Sequence, residues 1–372
     1  MNRRDLLKNA LVTGALISVS EPARPIRLWG GSTSVPMAGQ QTMAHPERLP
    51  LLYQDGDQTG QSVSYDPSGA NNDGNFRTSY TRYIDSRGEY VIFDAYGPGC
   101  LYRQQINVWL SGGHLPAGKA HIRYYFDDET TPRIDMPIDD FFSGKTAPFT
   151  APFTHLDPSW RFGISYFPLP FTRRLKITTT ADLDKLADPY NAAWYQYTYL
   201  TYPDARGVTT WQSTHDKPSE RAAIAAQWNN LGTDPKPVAG NRSLSKTLEI
   251  PVGATRTLLD LKKSGSIASL KFHLEPYSPE VFYHTILRVY WDDSVVPAID
   301  VPIGHFFGGG GEKYEDCRKV PNATLKTLFY GFDGVAHTLY CYWPMPFWRS
   351  ARIELKNESH VSLTSVTCDV EY

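Results

Sequence analysis

The chain of 372 residues lacks several features that would decide its class at once. Charge of one sign is missing: 37 Lys and Arg stand against 39 Asp and Glu, a formal charge of −2. That removes the basic footprint of a surface that binds nucleic acid. No apolar run reaches the ~20 residues needed to cross a bilayer, so no integral membrane segment is expected. Cysteine is scarce. Cys100, Cys317, Cys341 and Cys368 are far apart and none has metal-ligand spacing, so neither a zinc site nor any other cofactor is expected. They read as small buried thiols, with a Cys341–Cys368 bridge as the alternative. There is no Gly-x-Ser-x-Gly elbow and no His-Glu-x-x-His pair, which counts against serine-hydrolase and zinc-protease chemistry. Gly308-Gly309-Gly310-Gly311 has no Lys-Ser/Thr behind it, so it is no phosphate loop; it reads as a flexible tip or a close backbone approach.

What is present favours β structure. Hydrophobic residues make up 41% and charged residues 20%, enough to build a core. Aromatics reach 13%, and Gly and Pro number 28 each, a mixture that suits short strands and many turns. The length predicts two or three domains. Arg3-Arg4-Asp5-Leu6-Leu7-Lys8 followed by the apolar run 10–19 predicts a twin-arginine export signal, hence a periplasmic or extracellular protein. Residues 1–30 are assigned to that signal and linker, and 21–50 lack periodicity.

The most informative feature is an internal repeat. Tyr124-Tyr125-Phe126-Asp127-Asp128 returns 165 residues later as Val289-Tyr290-Trp291-Asp292-Asp293. At the same offset Ile134-Asp135-Met136-Pro137-Ile138 matches Ile299-Asp300-Val301-Pro302-Ile303, and Phe141-Phe142 matches Phe306-Phe307. Tyr166-Phe167-Pro168-Leu169-Pro170-Phe171 matches Tyr342-Trp343-Pro344-Met345-Pro346-Phe347 at an offset of 176, so the second copy has a loop longer by 11 residues. Each copy reads as a run of strands with Asp-Asp turns, and its Pro-x-Pro segments belong at strand edges or bulges because proline donates no ladder bond. The expected fold is all-β: two tandem jelly-roll β-sandwiches, 50–202 and 249–372, with one short connecting helix. That helix is predicted over 220–231 in the connector 203–248, capped by Asp216 or Ser219 and ended by Gly232. Its face of Ile224, Trp228 and Leu231 is expected to pack across the seam.

The chemistry must then rest on carboxylates. Asp139 and Asp140 end the repeated strand of copy one, where copy two has Gly304 and His305. A position that differs between matched copies is less tied to the sandwich itself. Glu312, Glu315 and Asp316 follow the glycines of copy two. Such loop acids can serve as acid, base or nucleophile, or simply hold turns and meet solvent. The segment from Ser64 to Gly74, with Asp66, Asn71, Asn72 and Asp73, is dense in short hydrogen-bonding groups. It fits sugar hydroxyls, calcium at non-standard spacing, or an ordinary polar turn.

Taken together, Ser64-Tyr65-Asp66 through Asn72-Asp73, Gly97-Pro98-Gly99, the Phe-Asp-Asp, Ile-Asp-x-Pro and Phe-Phe blocks, and Tyr342-Trp343-Pro344-Met345-Pro346-Phe347 resemble the domain of unknown function 2961, also glycoside hydrolase family 172, over about residues 50–372. The resemblance implies tandem jelly rolls, a homotrimer or a multiple of trimers, and retaining hydrolysis of α-D-fructofuranosides or D-arabinofuranosides through a glutamate nucleophile and a glutamate acid/base. The family's Gly-Thr-Gly-Thr-Glu-Asp-Tyr-Phe block has no counterpart; by repeat register its place is taken by Ile303-Gly304-His305-Phe306, which implies a shortened member without that catalytic module. The expectation is therefore an exported glycoside hydrolase-like protein acting on furanosides, with Asp139, Asp140, Glu312 and Glu315 as candidate catalytic acids and Asp66, Asn71, Asn72 and Asp73 as sugar contacts. The alternatives are a non-catalytic carbohydrate-binding or assembly module and, by fold analogy alone, a shell-forming protein.

Overall fold

Strand alternation sets the architecture. In Ala351–Asn357, Ala351, Ile353, Leu355 and Asn357 are buried while Arg352, Glu354 and Lys356 are less so, the period-two pattern of a sheet with one face in a core. A computed structural model describes residues 37–51, 56–70, 81–108, 120–157, 162–183, 193–310 and 322–372. The twin-arginine segment and Cys317 lie outside them.

The first sandwich has one sheet in the order Gln58–Val63, Ala193–Thr201, Gly99–Val108, Phe162–Ser165, Thr154–Asp157. Its facing sheet runs Tyr83–Ile84, Tyr90–Tyr96, Arg174–Thr179, His121–Phe126, Ile134–Pro137. The second sandwich repeats the order: Ser243–Ile250, Leu363–Glu371, Ser269–Glu275, Thr338–Cys341, Tyr330–Asp333 and Thr324–Lys326 face Thr255–Leu261, Ala351–Asn357, Thr285–Trp291 and Ile299–Pro302. Several successive strands thus cross between sheets in the jelly-roll manner, while His121–Phe126 with Ile134–Pro137 and Thr154–Asp157 with Phe162–Ser165 are hairpins within one sheet. Each sandwich encloses its own apolar core.

Three devices recur at matched positions. A bulge shifts the register between Ile177 and Thr178 against one strand, and between Thr257 and Leu259 in the other copy; it bends the strand over the core. Asp127 and Asp128 take left-handed backbone, φ 49° and 67°, as do Asp292 and Asp293, φ 56° and 64°. Aspartate tolerates this because its short side chain bonds locally. The Asp127 carboxylate accepts the backbone N–H of Arg173 at 2.7 Å, and Asp292 that of Arg349 at 2.7 Å. Finally, Gly99 and Gly265 have no room for a side chain: a Cβ would lie 2.5 Å from the Phe171 ring and 2.9 Å from the Phe347 ring. Those phenylalanines end the three-residue edge strands Leu169–Phe171 and Met345–Phe347, which hold Pro170 and Pro346.

The connecting helix spans Pro218–Asn229, two residues earlier at its start than predicted, with Pro218 in the first turn. No side chain caps it. Asp216 instead accepts from Gln40 Nε2 at 3.0 Å and pairs with Arg221. Ile224 is buried in the first core and Trp228 packs on it, but Leu231 is 46% exposed and leaves the expected face. Gly232 follows at φ 85°. Residues 37–51, without any sequence periodicity, form two short helical turns, and Met43 joins the first core. Cys100, Cys341 and Cys368 are buried free thiols with no bridge between the last two; burial pushes them up to about 12, 11 and 12. Among the described residues no helix is long and apolar enough to cross a membrane.

Candidate functional site

Pro137 ends its strand and opens the helix Ile138–Phe142. Ile138, Phe141 and Phe142 point into the core, where Phe141 stacks on Tyr124 at 5.2 Å and meets Phe149 at 4.5 Å. The opposite side is left to Asp139, half-buried, and Asp140, exposed. The matching helix Ile303–Phe306 cannot carry such a residue at Gly304, because a Cβ there would lie 2.1 Å from the Phe282 ring. Phe282 sits on Pro279–His284, a helix unique to the second copy among the described residues. The absence of an acid at the place of Asp139 in copy two therefore has a steric cause, whereas His305, at the place of Asp140, is exposed. Gly309 is likewise a close approach, its Cβ position 2.2 Å from the same ring.

Glu312, Glu315 and Asp316, and Asn71, Asn72 and Asp73, lie outside the described residues. Asp66 is 4% exposed; one carboxylate oxygen accepts the Ser68 N–H at 2.8 Å and the Ser68 hydroxyl at 2.6 Å. Asp66 thus helps to fold its own turn.

A polar pocket of about 390 Å³ opens on the outer face of the first sandwich. Its walls are Asp85, Arg87, Asp128, Glu129, Arg174 and Lys176, with Tyr125 as floor. Strand alternation puts Arg123 and Tyr125 beside Arg174, Lys176 and Thr178. Lys176 Nζ donates to Asp85 at 2.8 Å, and Arg174 holds Asp94 with two bonds at 2.8 and 2.9 Å. Behind them Glu89, 6% exposed, accepts from Arg123 at 2.6 Å, Thr178 at 2.6 Å and the Tyr125 hydroxyl at 2.9 Å. Burial alone would raise the Asp85, Glu89 and Asp94 carboxyls, but these donors outweigh it and hold all three below the usual range. Burial and the bond to Glu89 push Tyr125 up to about 12. Equal numbers of both charges suit a neutral polyhydroxylated ligand better than an anion. Sequence reading missed this pocket, though the outward residues of the two alternating strands were its visible signal. Among the described residues no group of three or more His, Cys, Asp and Glu side chains is arranged to hold a metal ion.

Comparison with family models matches residues 55–219 to the GH172 first beta-sandwich domain and residues 240–370 to a GH172 domain-like model. No curated protein matches the chain. The two matches fall on the two sandwiches and between them take in nearly every strand described, so the chain belongs to the GH172 glycoside hydrolase family.

Proposed function

We propose that the protein is an exported glycoside hydrolase that cleaves furanosides, D-arabinofuranosides or fructofuranosides of glycans, with retention. The observation that carries this reading is the match of both sandwiches to a carbohydrate-active family. Asp139 and Asp140 stand on the outward side of a helix whose other side is fixed in the core, which is how a reacting acid is held steady. Glu312 and Glu315 follow the matching helix of the second copy, and Asn71, Asn72 and Asp73 remain the proposed sugar contacts. Retention requires two carboxyl groups about 5–5.5 Å apart. Export through Arg3 and Arg4 and assembly as a homotrimer belong to the same proposal; light scattering reads the trimer directly.

Purified protein incubated with 4-nitrophenyl furanosides should release nitrophenol. Among Asp139→Asn, Asp140→Asn, Glu312→Gln and Glu315→Gln, loss of the true nucleophile should lower kcat about a thousandfold or more with sugar binding retained. Full activity in all four variants would overturn the assignment. One observation favours a second reading, a module that binds carbohydrate without cleaving it. Acids in and behind the polar pocket of the first sandwich are tied into ion pairs, Asp85 with Lys176, Asp94 with Arg174 and Glu89 with Arg123, an arrangement suited to holding a ligand rather than to reacting with it. That reading predicts glycan binding with no turnover.

A further inference from the structure

Between the two sandwiches lies a second cleft, of about 470 Å³, whose lining residues include no charged side chain. Tyr102 and Tyr166 come from the first sandwich, Trp228 from the connecting helix, and Phe329, Tyr330 and Trp343 from the second. Phe329 and Trp343 stack face to face at 4.1 Å, 19° from parallel. Trp228 meets Phe153 edge-on at 5.2 Å and Tyr166 at 6.5 Å. Trp343 and Tyr166 remain 43% and 41% exposed, so two large rings stand open at the mouth of a cleft whose floor is already packed.

The polar atoms of the cleft decide what fits. The Thr42 hydroxyl donates to Gly39 O at 2.7 Å. The Thr327 hydroxyl donates to Tyr330 O at 2.5 Å and accepts the Tyr330 N–H at 3.1 Å. The Tyr102 hydroxyl is bonded to that of Tyr202 at 2.7 Å. These groups are spent within the protein, leaving the hydroxyls of Tyr166 and Tyr330 as polar handles. A sugar ring carries a hydroxyl on nearly every carbon and would have most of them desolvated without partners, at a cost apolar contact does not recover. A flat apolar ring meets no such penalty and gains contact with the exposed Trp343 and Tyr166 rings.

We infer that the cleft between the sandwiches binds an uncharged aromatic group of one or two fused rings bearing at most a hydroxyl. Its assignment as the aglycone or aromatic substituent of a glycoside rests on the hydrolase reading; the binding itself does not.

The test is a titration of the full chain with 2-naphthol, followed by tryptophan fluorescence. Saturable quenching is expected. Trp343→Ala and Phe329→Ala should each weaken it by about tenfold or more, while Trp348→Ala, outside the cleft lining, should leave it unchanged. Arabinose and fructose should not compete. A linear titration, equal affinity in Trp343→Ala, or competition by either sugar would overturn the inference. Wild-type crystals soaked in 2-bromonaphthalene provide a readout free of any folding defect: bromine density beside Trp343 supports the inference, and bromine only elsewhere overturns it. Naphthol binding without furanoside turnover would refute the hydrolase and leave the cleft standing; turnover without naphthol binding would do the reverse.

Discussion

The two sandwiches share a frame and differ in what fills it. In the first core Gln104, Tyr124 and Tyr197 meet, all fully buried, and the Tyr124 hydroxyl donates to Gln104 Oε1 at 2.6 Å. The matched strand positions in the second core are Leu270, Val289 and Val370, equally buried and wholly apolar. On the outer face, the Arg123–Asp135 pair at 3.0 Å and Lys176 over the Tyr125 ring at 4.8 Å recur as Arg288–Asp300 at 3.1 Å and Arg352 over the Tyr290 ring at 3.8 Å. The first copy adds Glu89, whose donors Arg123, Thr178 and Tyr125 build a pocket wall. The bulge, the left-handed Asp pair and the Gly–Phe contact persist through these changes. Backbone devices hold the jelly roll, and the side chains between them are free to specialise. The first sandwich is the copy with the more polar core, and the second the one with the more apolar core.

Four substitutions and one condition break or sharpen that contrast. The largest effect is expected from Leu270→Gln, which would give the second core the amide of the first without its tyrosine partner. It should cost about 3–5 kcal/mol in a urea titration. Next, Asp127→Ala removes the acceptor of three backbone N–H groups, those of Thr172, Arg173 and Arg174, from left-handed backbone, and should cost about 3 kcal/mol. Asp292→Ala, with two such bonds, should cost about 2 kcal/mol by the same denaturation assay. Smaller still, Gln104→Leu should cost about 1 kcal/mol, because the Tyr124 hydroxyl loses its acceptor, and adding Tyr124→Phe should recover most of it.

Acid should separate the copies last and most gently. Burial favours raised carboxyls at Asp94 and Asp127, but hydrogen bonds from Arg174 and Tyr83, and from Thr210, Thr172 and backbone N–H groups, hold them low; Asp85 and Glu89 behave alike. A carboxyl depressed in the folded state contributes stability above its unfolded value, and that contribution fades as pH falls through the folded one. In the second sandwich Glu275 and Asp333 are also held low, by His337 and by the Ala336 and Val335 N–H groups, but both are partly exposed, where such bonds contribute little. The first sandwich should therefore lose amide protection ahead of the second below about pH 4, as hydrogen exchange at pH 7 and pH 3 would record.

Much of the frame was legible from residues. The Asp-Asp pairs announce tight turns because few other side chains accept left-handed backbone. Pro170 and Pro346 demand edges, and both lie in short edge strands. The alanine-rich connector is helical as read, but its start is not: Asp216, a plausible cap by sequence, is drawn away by Gln40 and Arg221. Residues 37–51 gave no signal because one buried Met43 makes no period. The aromatic cleft has no local signal, and the polar pocket has one only in its alternating strands, for a different reason. Asp85 and Lys176, or Tyr102 and Trp343, meet only through strand pairing and the seating of two sandwiches, which no local pattern encodes.

The most direct test of the account is proton NMR of the first sugar released from a 4-nitrophenyl furanoside. The reading predicts that the initial product keeps the anomeric configuration of the substrate. An inverted initial product, or none released from any furanoside, would contradict it.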